Sequence, residues 1–397
     1  MIDASTLRAW YAHRQGLDGS LRDKSPAEVL AQSGWARSVG GVGPYVSLFA
    51  RAGTSREAAD AAVASLHIHE LPSARGCAYV LPASDYALGL TIAQTFGQAE
   101  VKTAASLGVH APEIDALCAA VVATIGDEPL DPDTIKQAVG DAVRNLGDAG
   151  KKKGMVTTLP LALGLLQARG NIRRVPVGGR LDQQRFKYVR WSPNPLLTIA
   201  LSTDDAFTEL ARRFFRWVGP ATMKELQWFT GLGVKAAKDA TASIGLIAAE
   251  EGGDRLLLPE DVDAFRAFVA PRDPQYVLVS SLDAISAARR DVFTLVDESD
   301  REKVASLTFR ERPGGNLVDL AAHAILDRGR LIGYWEYDAD ALRIVSATFS
   351  GKRDKALERA VAETETFVHD QLGDARAFSL DSPKSRRPKL EMLAQLA

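Results

Sequence analysis

Apolar positions recur at helical spacing over about 3–16 and 26–32, and again through PYVSLFARAG (44–53), with the flexible run SVGGVG (38–43) between them. TSREAADAAVASL (54–66) opens with Thr54 and Ser55 as cap candidates and Glu57 in the first turn, the chemistry of a helix start. HIHELPSARGCAYVLPAS (67–84) then alternates, turns at PSARG, and alternates again to Pro82. That pattern predicts helices feeding a β-hairpin.

The same order returns twice without close identity. APEIDALCAAVVATIG (111–126), DPDTIKQAVGDAVRNLG (131–147) and TLPLALGLLQARG (158–170) are predicted helices, the second capped by Asp131 with Pro132 in its first turn. NIRRVPVGGRLDQQRFKYVRW (171–191) is a predicted hairpin, broken at Gly178-Gly179. Further on, AFTELARRFFRWVG (206–219), ATMKELQWFTG (221–231) and GVKAAKDATASIG (233–245) precede a third hairpin, LIAAEEGGDRLLLPED (246–261). Three helices followed by a two-stranded wing is the winged-helix plan, in which the third helix can enter a major groove.

After the prolines at 271 and 274 the texture changes. YVLVSSLDAI (276–285), VASLTF (304–309), GNLVDLAAHAILDRG (315–329), RLIGYWEYDA (330–339) and ALRIVSATF (341–349) read as short strands, which suggests a small barrel or sheet. KALERAVAETETFVHDQLG (355–373) is an amphipathic helix, and KSRRPK (384–389) reads as a mobile basic tail. The expected fold is therefore α+β: winged helices over 1–100, 107–192 and 203–262, a β-barrel-like domain with a helix over 274–376, and a tail over 377–397.

Charge changes this picture only regionally. The whole chain carries −2, with 48 basic and 50 acidic residues. Between Arg144 and Arg190, however, eleven basic residues face only Asp148 and Asp182. Such local concentration suits phosphate neutralisation. On the second wing Arg185, Lys187 and Val189 share one face, and Phe186, Tyr188 and Arg190 the other. Lys151, Lys152, Arg173, Arg174, Arg180, Arg185 and Lys187 are the candidate DNA contacts here. In the first hairpin the small tip around Ser73 and Arg75 could press into a minor groove, with His67 and His69 facing one side of its strand toward the DNA. The aromatics Phe214, Phe215, Trp217, Trp228 and Phe229 read as core.

Two cysteines, Cys77 and Cys118, and six scattered histidines offer no zinc-finger spacing, so no metal site is expected. Walker A, G-x-G-x-x-G and G-x-S-x-G patterns are absent in usable context, so no cofactor is expected either. The N-terminus has no apolar signal core and no long apolar run occurs, which reads as a cytoplasmic chain without membrane contact.

RQGLDG (14–19), GPYVSLFARAG (43–53), YVLPASDYAL (79–88) and GPATMKELQWFTGL (219–232), in that order, resemble the winged-helix DNA-binding superfamily that contains the AlkZ/YcaQ-type DNA glycosylases. LDRGRLIGYWEY and LRIVSATF resemble its C-terminal barrel. The resemblance implies a C-shaped, monomeric binder of double-stranded DNA. It also implies monofunctional hydrolysis of N-glycosidic bonds of alkylated bases, by a Gln-x-Gln or Gln-x-Asp element placed shortly before the segment matching PYVSLFAR. Neither pattern is present here. The corresponding positions fall near Ser33-Gly34-Trp35 or Arg37-Ser38-Val39, and Gln32 is the only amide nearby. Gln32, Ser33, Trp35 and Arg37 are accordingly the candidate catalytic positions. Gln15 and Asp18 are better read as a turn. A binder of alkylated or distorted DNA on a glycosylase-like scaffold is the leading expectation, and a transcription regulator without catalysis is the alternative.

Overall fold

A computed structural model describes residues 3–183, 185–307 and 317–396. The first stretch contains α1 (Ala4–Arg14), α2 (Pro26–Ser33), β1 (Ala36–Arg37), α3 (Gly43–Ala52), α4 (Arg56–Ala64), and the hairpin β2 (Ile68–Pro72) with β3 (Ala78–Pro82). Capping fixes the starts. Ser25 and Glu28 close a reciprocal capping box on α2, and the Ser55 side chain accepts from Ala58 at the head of α4. β1 adds to the hairpin, in the order β1-β3-β2.

Next comes α5 (Tyr86–Ala105), a 20-residue helix with no counterpart in the predicted elements. Its first two turns, Tyr86 to Ala93, are buried on every side. A second group follows: α6 (Ala111–Thr124), α7 (Pro132–Val139), the short α8 (Gly147–Lys152) and α9 (Leu159–Ala168), then the antiparallel ribbon of β4 (Ile172–Pro176) and β5 (Phe186–Arg190). The third group is α10 (Thr203–Val218), β6 (Ala221–Thr222), α11 (Met223–Thr230), α12 (Val234–Thr241), β7 (Ile247–Ala248) and β8 (Arg255–Leu257). Thr222 and Glu225 form a second capping box, and Gly231 ends α11 at φ 79°, a left-handed position that favours glycine.

The C-terminal part holds α13 (Val262–Ala267), β9 (Tyr276–Val279), α14 (Ala284–Ala287), α15 (Arg301–Ser306), β10 (His323–Asp327), β11 (Arg330–Asp338), β12 (Arg343–Thr348), α16 (Lys355–Phe367) and α17 (Pro383–Leu396). Its strands form an open antiparallel sheet, β12-β11-β10-β9. Among the described residues this sheet does not close into a barrel. The expected strand over 304–309 is also corrected: its first residues belong to α15, and 308–309 lie outside the described residues, as do 315–316 of the next expected segment. The supposed mobile tail is helical. Arg386 is buried, donates to Asp374 and pairs with Glu336, and Lys389 lies 3.7 Å from the same Glu336.

Burial is shared unevenly. Apolar residues of the second group, with Ala104 from the end of α5, pack as a cluster of their own. The first group divides its apolar side chains among three other clusters, which it shares with the third group and the C-terminal sheet. The glycine run at 40–43 works as a close-approach segment: a Cβ on Gly41 would lie 2.2 Å from the Ala377 carbonyl oxygen, and Val42 N–H donates to Arg376 O nearby.

Candidate functional site

A cavity of about 610 Å³ opens where the first group, the third group and the C-terminal part meet. β1 supplies one wall. Arg37 of this two-residue strand and Trp35 and Val39 flanking it line the cavity, while Ala36 joins the core and the Ser38 hydroxyl donates to buried Glu70. Trp217 and Phe229, from α10 and α11, and Tyr79 of β3 pack beside Trp35 and continue this wall. Ser281, Leu282, Ala284, Ala287, Ala288 and Arg290, with 317–321 and with Asp381 and Lys389 near and on α17, are also on the lining.

The aromatic wall is held from behind. Trp35 Nε1–H donates to Asp85 at 2.7 Å, and the wholly buried Asp85 pairs with Arg213 of α10 at 2.8 Å. Trp217 Nε1–H donates to Ala31 O. Trp35 lies 5.5 Å from Trp217 and 6.1 Å from Tyr79, centroid to centroid. Burial pushes the Tyr79 phenol up to about 12, against the opposing pull of Arg37, Arg75 and Arg290.

Those three guanidinium groups give the cavity its sign. Arg37 sits over the Tyr79 ring and donates to Ala78 O. Arg75 and Arg290 stack on Trp228, at 3.9 and 3.8 Å from the ring centroid. With Lys389 they make four cations on the lining, against Asp319 and Asp381. Asp319 lies 3.5 Å from Arg290.

Of the expected catalytic positions, Ser33, Trp35 and Arg37 line this cavity, and Gln32 does not. Gln32 is exposed on α2. The Ser33 hydroxyl is committed to Val29 O. Gln15 reaches the cavity, but its amide donates to Trp217 O and accepts from Arg51, while Asp18 bonds His13 and Ser20, which supports their structural reading.

The first hairpin departs from its expected role. Ser73 and Ala74 are fully buried against α5, and Arg75 packs at Gly231. A tip this small and apolar gains more by burial than by projecting, so it is not a free wedge. His67 and His69 do not share an environment either. His67 precedes the strand and is exposed, whereas His69 is buried with Trp191 and Tyr86 edge-on to its ring. Burial, aided by Arg173 and Arg174, pushes His69 down to about 3.

The basic segment divides into tethered and outward-facing cations. Arg174 lies 2.7 Å from Glu70 and stacks on Phe186, so it ties the two hairpins together. Arg180 is clamped by Asp182 and the Leu372 carbonyl. Lys151 lies 3.5 Å from Asp148. Arg173 is half-buried near Tyr86, and burial lowers its pKa. Lys152, Arg185 and Lys187 are exposed and have no carboxylate partner among the described residues. On the ribbon Arg173 pairs across with Val189 and Val175 with Lys187, so one face runs from a buried base to an exposed end.

Trp217 and Phe229 are buried core, as expected, and also line the cavity, whereas sequence reasoning missed Arg290, Asp319, Asp381 and Lys389. Nothing in local spacing marks them, since they come from segments far apart. Among the described residues no group of three or more His, Cys, Asp or Glu side chains gathers as a metal site, and no helix is long and apolar enough to cross a membrane.

A family model described as DNA glycosylase AlkZ-like matches residues 32–367. The solved structure of the Streptomyces sahachiroi DNA glycosylase AlkZ superposes with a TM-score of 0.70 at 16% identity, covering 94% of this chain and 98% of that one. At that identity the likeness is one of fold. No curated protein matches the chain in sequence.

Proposed function

Because the chain belongs to the AlkZ-like DNA glycosylase family, we propose that it is a DNA-repair protein that binds duplex DNA at alkylated or distorted positions, through winged-helix units and an exposed basic ribbon. The observation that carries this reading is the end of the β4–β5 ribbon. There Arg185 and Lys187 stand exposed, in a segment whose other cations are partly held by Glu70, Asp148 and Asp182. Exposed cations on a ribbon are suited to backbone phosphates, which position a protein without reading sequence.

Duplex binding should fall steeply with salt. Arg185→Ala with Lys187→Ala should weaken affinity for random duplex and flatten the log–log salt slope by about 2, near one for each phosphate no longer neutralised. Fluorescence anisotropy across a salt series reads both quantities. An unchanged slope in the double variant rules this ribbon out as the DNA face. Arg174→Ala is a poorer probe, because its Glu70 partner would be left buried without a counter-charge, held only by the Ser38 hydroxyl.

On catalysis the reading is binding without N-glycosidic cleavage. A departing base leaves a cationic, oxocarbenium-like sugar, which a carboxylate or amide stabilises and a guanidinium does not. The segment through β1 presents Trp35, Arg37 and Val39. Incubation with duplex containing N7-methylguanine, followed by alkaline treatment, should yield no strand breaks above a control without protein. Breaks that depend on the protein overturn this part of the reading and would direct attention to Asp319 and Asp381, the carboxylates on the lining.

A further inference from the structure

We propose that the 610 Å³ cavity is a nucleotide-binding site, taking a planar base against its aromatic wall and the attached phosphate on Arg37 and Arg75. The volume falls in the range of sites that enclose small organic ligands, about 300–1,000 Å³. The wall is made of Trp35, Tyr79, Trp217 and Phe229, which are packed against one another and border the cavity only with the small part of each ring left open, an apolar surface that any base can meet regardless of sequence.

The charge fixes the second half of the ligand. Neither Arg37 nor Arg75 has a carboxylate partner among the described residues; Arg37 gives one N–H to Ala78 O, and Arg75 lies flat on Trp228. Each therefore keeps N–H donors for an anion, and a guanidinium fork matches a phosphate bidentately. Arg75 and Arg290, on either side of Trp228, both hold left-handed backbone, at φ 59° and 55°. Non-glycine residues persist there only where the surroundings impose it, and such positions cluster at ligand clamps. Asp319 and Asp381 on the same lining are acceptors for the exocyclic amines of a base or the hydroxyls of a sugar. A purely apolar guest would leave Arg37 and Arg75 desolvated without a counter-charge, and a bare anion would leave the aromatic wall unused.

The ligand has two possible sources, a free mononucleotide or a nucleotide leaving the stack of a bound duplex; the second rests on the duplex-binding reading. Cys77 provides a native reporter. It lines the cavity and is half-buried, whereas the other cysteine, Cys118, is buried in the second group. The full-length protein is treated with a thiol-alkylating reagent, and modification of Cys77 is followed by mass spectrometry. The additions are adenosine 5′-monophosphate, adenosine, inorganic phosphate, a perfectly paired duplex, or the same duplex with one mismatch. Tryptophan fluorescence is recorded in parallel.

The mononucleotide should protect Cys77 and quench tryptophan emission, adenosine and phosphate much less at equal concentration. Arg75→Gln should weaken the mononucleotide roughly tenfold, with an unchanged melting temperature showing that it folds. Arg185→Ala with Lys187→Ala should leave mononucleotide protection intact. Protection by the mismatched but not the paired duplex assigns the ligand to extruded DNA. Protection by the mononucleotide with no duplex binding at any salt overturns the duplex reading and leaves a free-nucleotide site. Duplex binding with Cys77 and tryptophan unmoved by every addition overturns the cavity proposal and leaves the duplex reading standing. Protection by inorganic phosphate equal to that by the mononucleotide overturns it too, since the aromatic wall would then contribute nothing.

Discussion

Replacing Asp283 by Asn should cost the protein about 3–5 kcal/mol of stability, the expected penalty for stranding a buried partner charge. Asp283 and Arg51 are both almost completely buried and meet through two 2.8 Å hydrogen bonds. Ser47 Oγ and Ile285 N–H donate to the same carboxylate, and Arg51 also donates to Gln15 and to Ser47 O. Burial alone would raise the pKa of Asp283, but the Arg51 guanidinium and these donors outweigh it and hold the carboxyl below its usual range. Asn keeps the shape and loses the charge, so Arg51 is left ionised with no counter-charge. Against a total stability of about 5–15 kcal/mol for ordinary folded proteins, that loss is large. Arg51→Met combined with Asp283→Leu should cost less than the Asn single variant, because no unpaired charge remains. Urea unfolding midpoints decide it; a single variant within about 1 kcal/mol of the parent, under the typical worth of one hydrogen bond to a charged group, defeats the argument. The consequence reaches the cavity, since the pair joins α3 to the start of α14, and Gln15, Ser281 and Ala284 around it are lining residues.

How much of this could be read beforehand depends on whether the signal was local. The three helix–hairpin groups were legible because capping residues and glycine turns punctuate them: Ser55 and Asp131 do in the structure what their sequence neighbourhood predicts. The helix α5 was not legible. Tyr86 to Ala93 is buried all round, so its sequence has no polar face and no amphipathic period. α8 is short, polar and carries two glycines, and gives no periodic signal. The basic tail was misread for the opposite reason. Its cations look solvated in sequence, but Arg386 and Lys389 meet Glu336 from a strand some fifty positions earlier. The site divides the same way. Ser33, Trp35, Arg37 and Arg75 were named from sequence and line the cavity; Arg290, Asp319 and Asp381 reach it only through the tertiary fold. The basic cluster was visible as a count, yet its carboxylate partners were not: Glu70 lies about a hundred residues from Arg174 and cancels it at 2.7 Å.

Acid should destabilise the protein from about pH 6.5 downward, and His69→Phe should remove a defined share of that loss. Burial pushes His69 from 6.5 to about 3 and His323 from 6.5 to about 4. His323 is fixed as the neutral form: its Nδ1 accepts from Ser281 N–H and its Nε2–H donates to Ala375 O, so a second ring proton would face a donor. Both pKa values are depressed on folding. The folded state therefore binds fewer protons than the unfolded chain in this range, and stability present above pH 6.5 is lost down to about 4 for His323 and about 3 for His69. Glu336 acts in the other direction. Burial raises it from 4.5 to about 7, despite Lys389 and Arg386, so the folded state gains stability as pH falls through that interval. Between pH 6.5 and 4.5 two imidazoles lose while one carboxyl gains, and each contributes about 1.4 kcal/mol per pH unit. His69→Phe should thus lessen the acid slope by about that one-proton amount relative to the parent, and Glu336→Gln should steepen it by the same amount. Phenylalanine keeps the edge-on packing with Trp191 and Tyr86 and removes a buried Nδ1 that has no hydrogen-bond partner, so the variant should remain folded at neutral pH. Urea midpoints for parent and variants at closely spaced pH values give the slopes directly. Parallel curves for His69→Phe and the parent would mean that His69 titrates in the folded protein as it does in the unfolded chain, and would overturn the account of it as a buried, neutral ring between Trp191 and Tyr86.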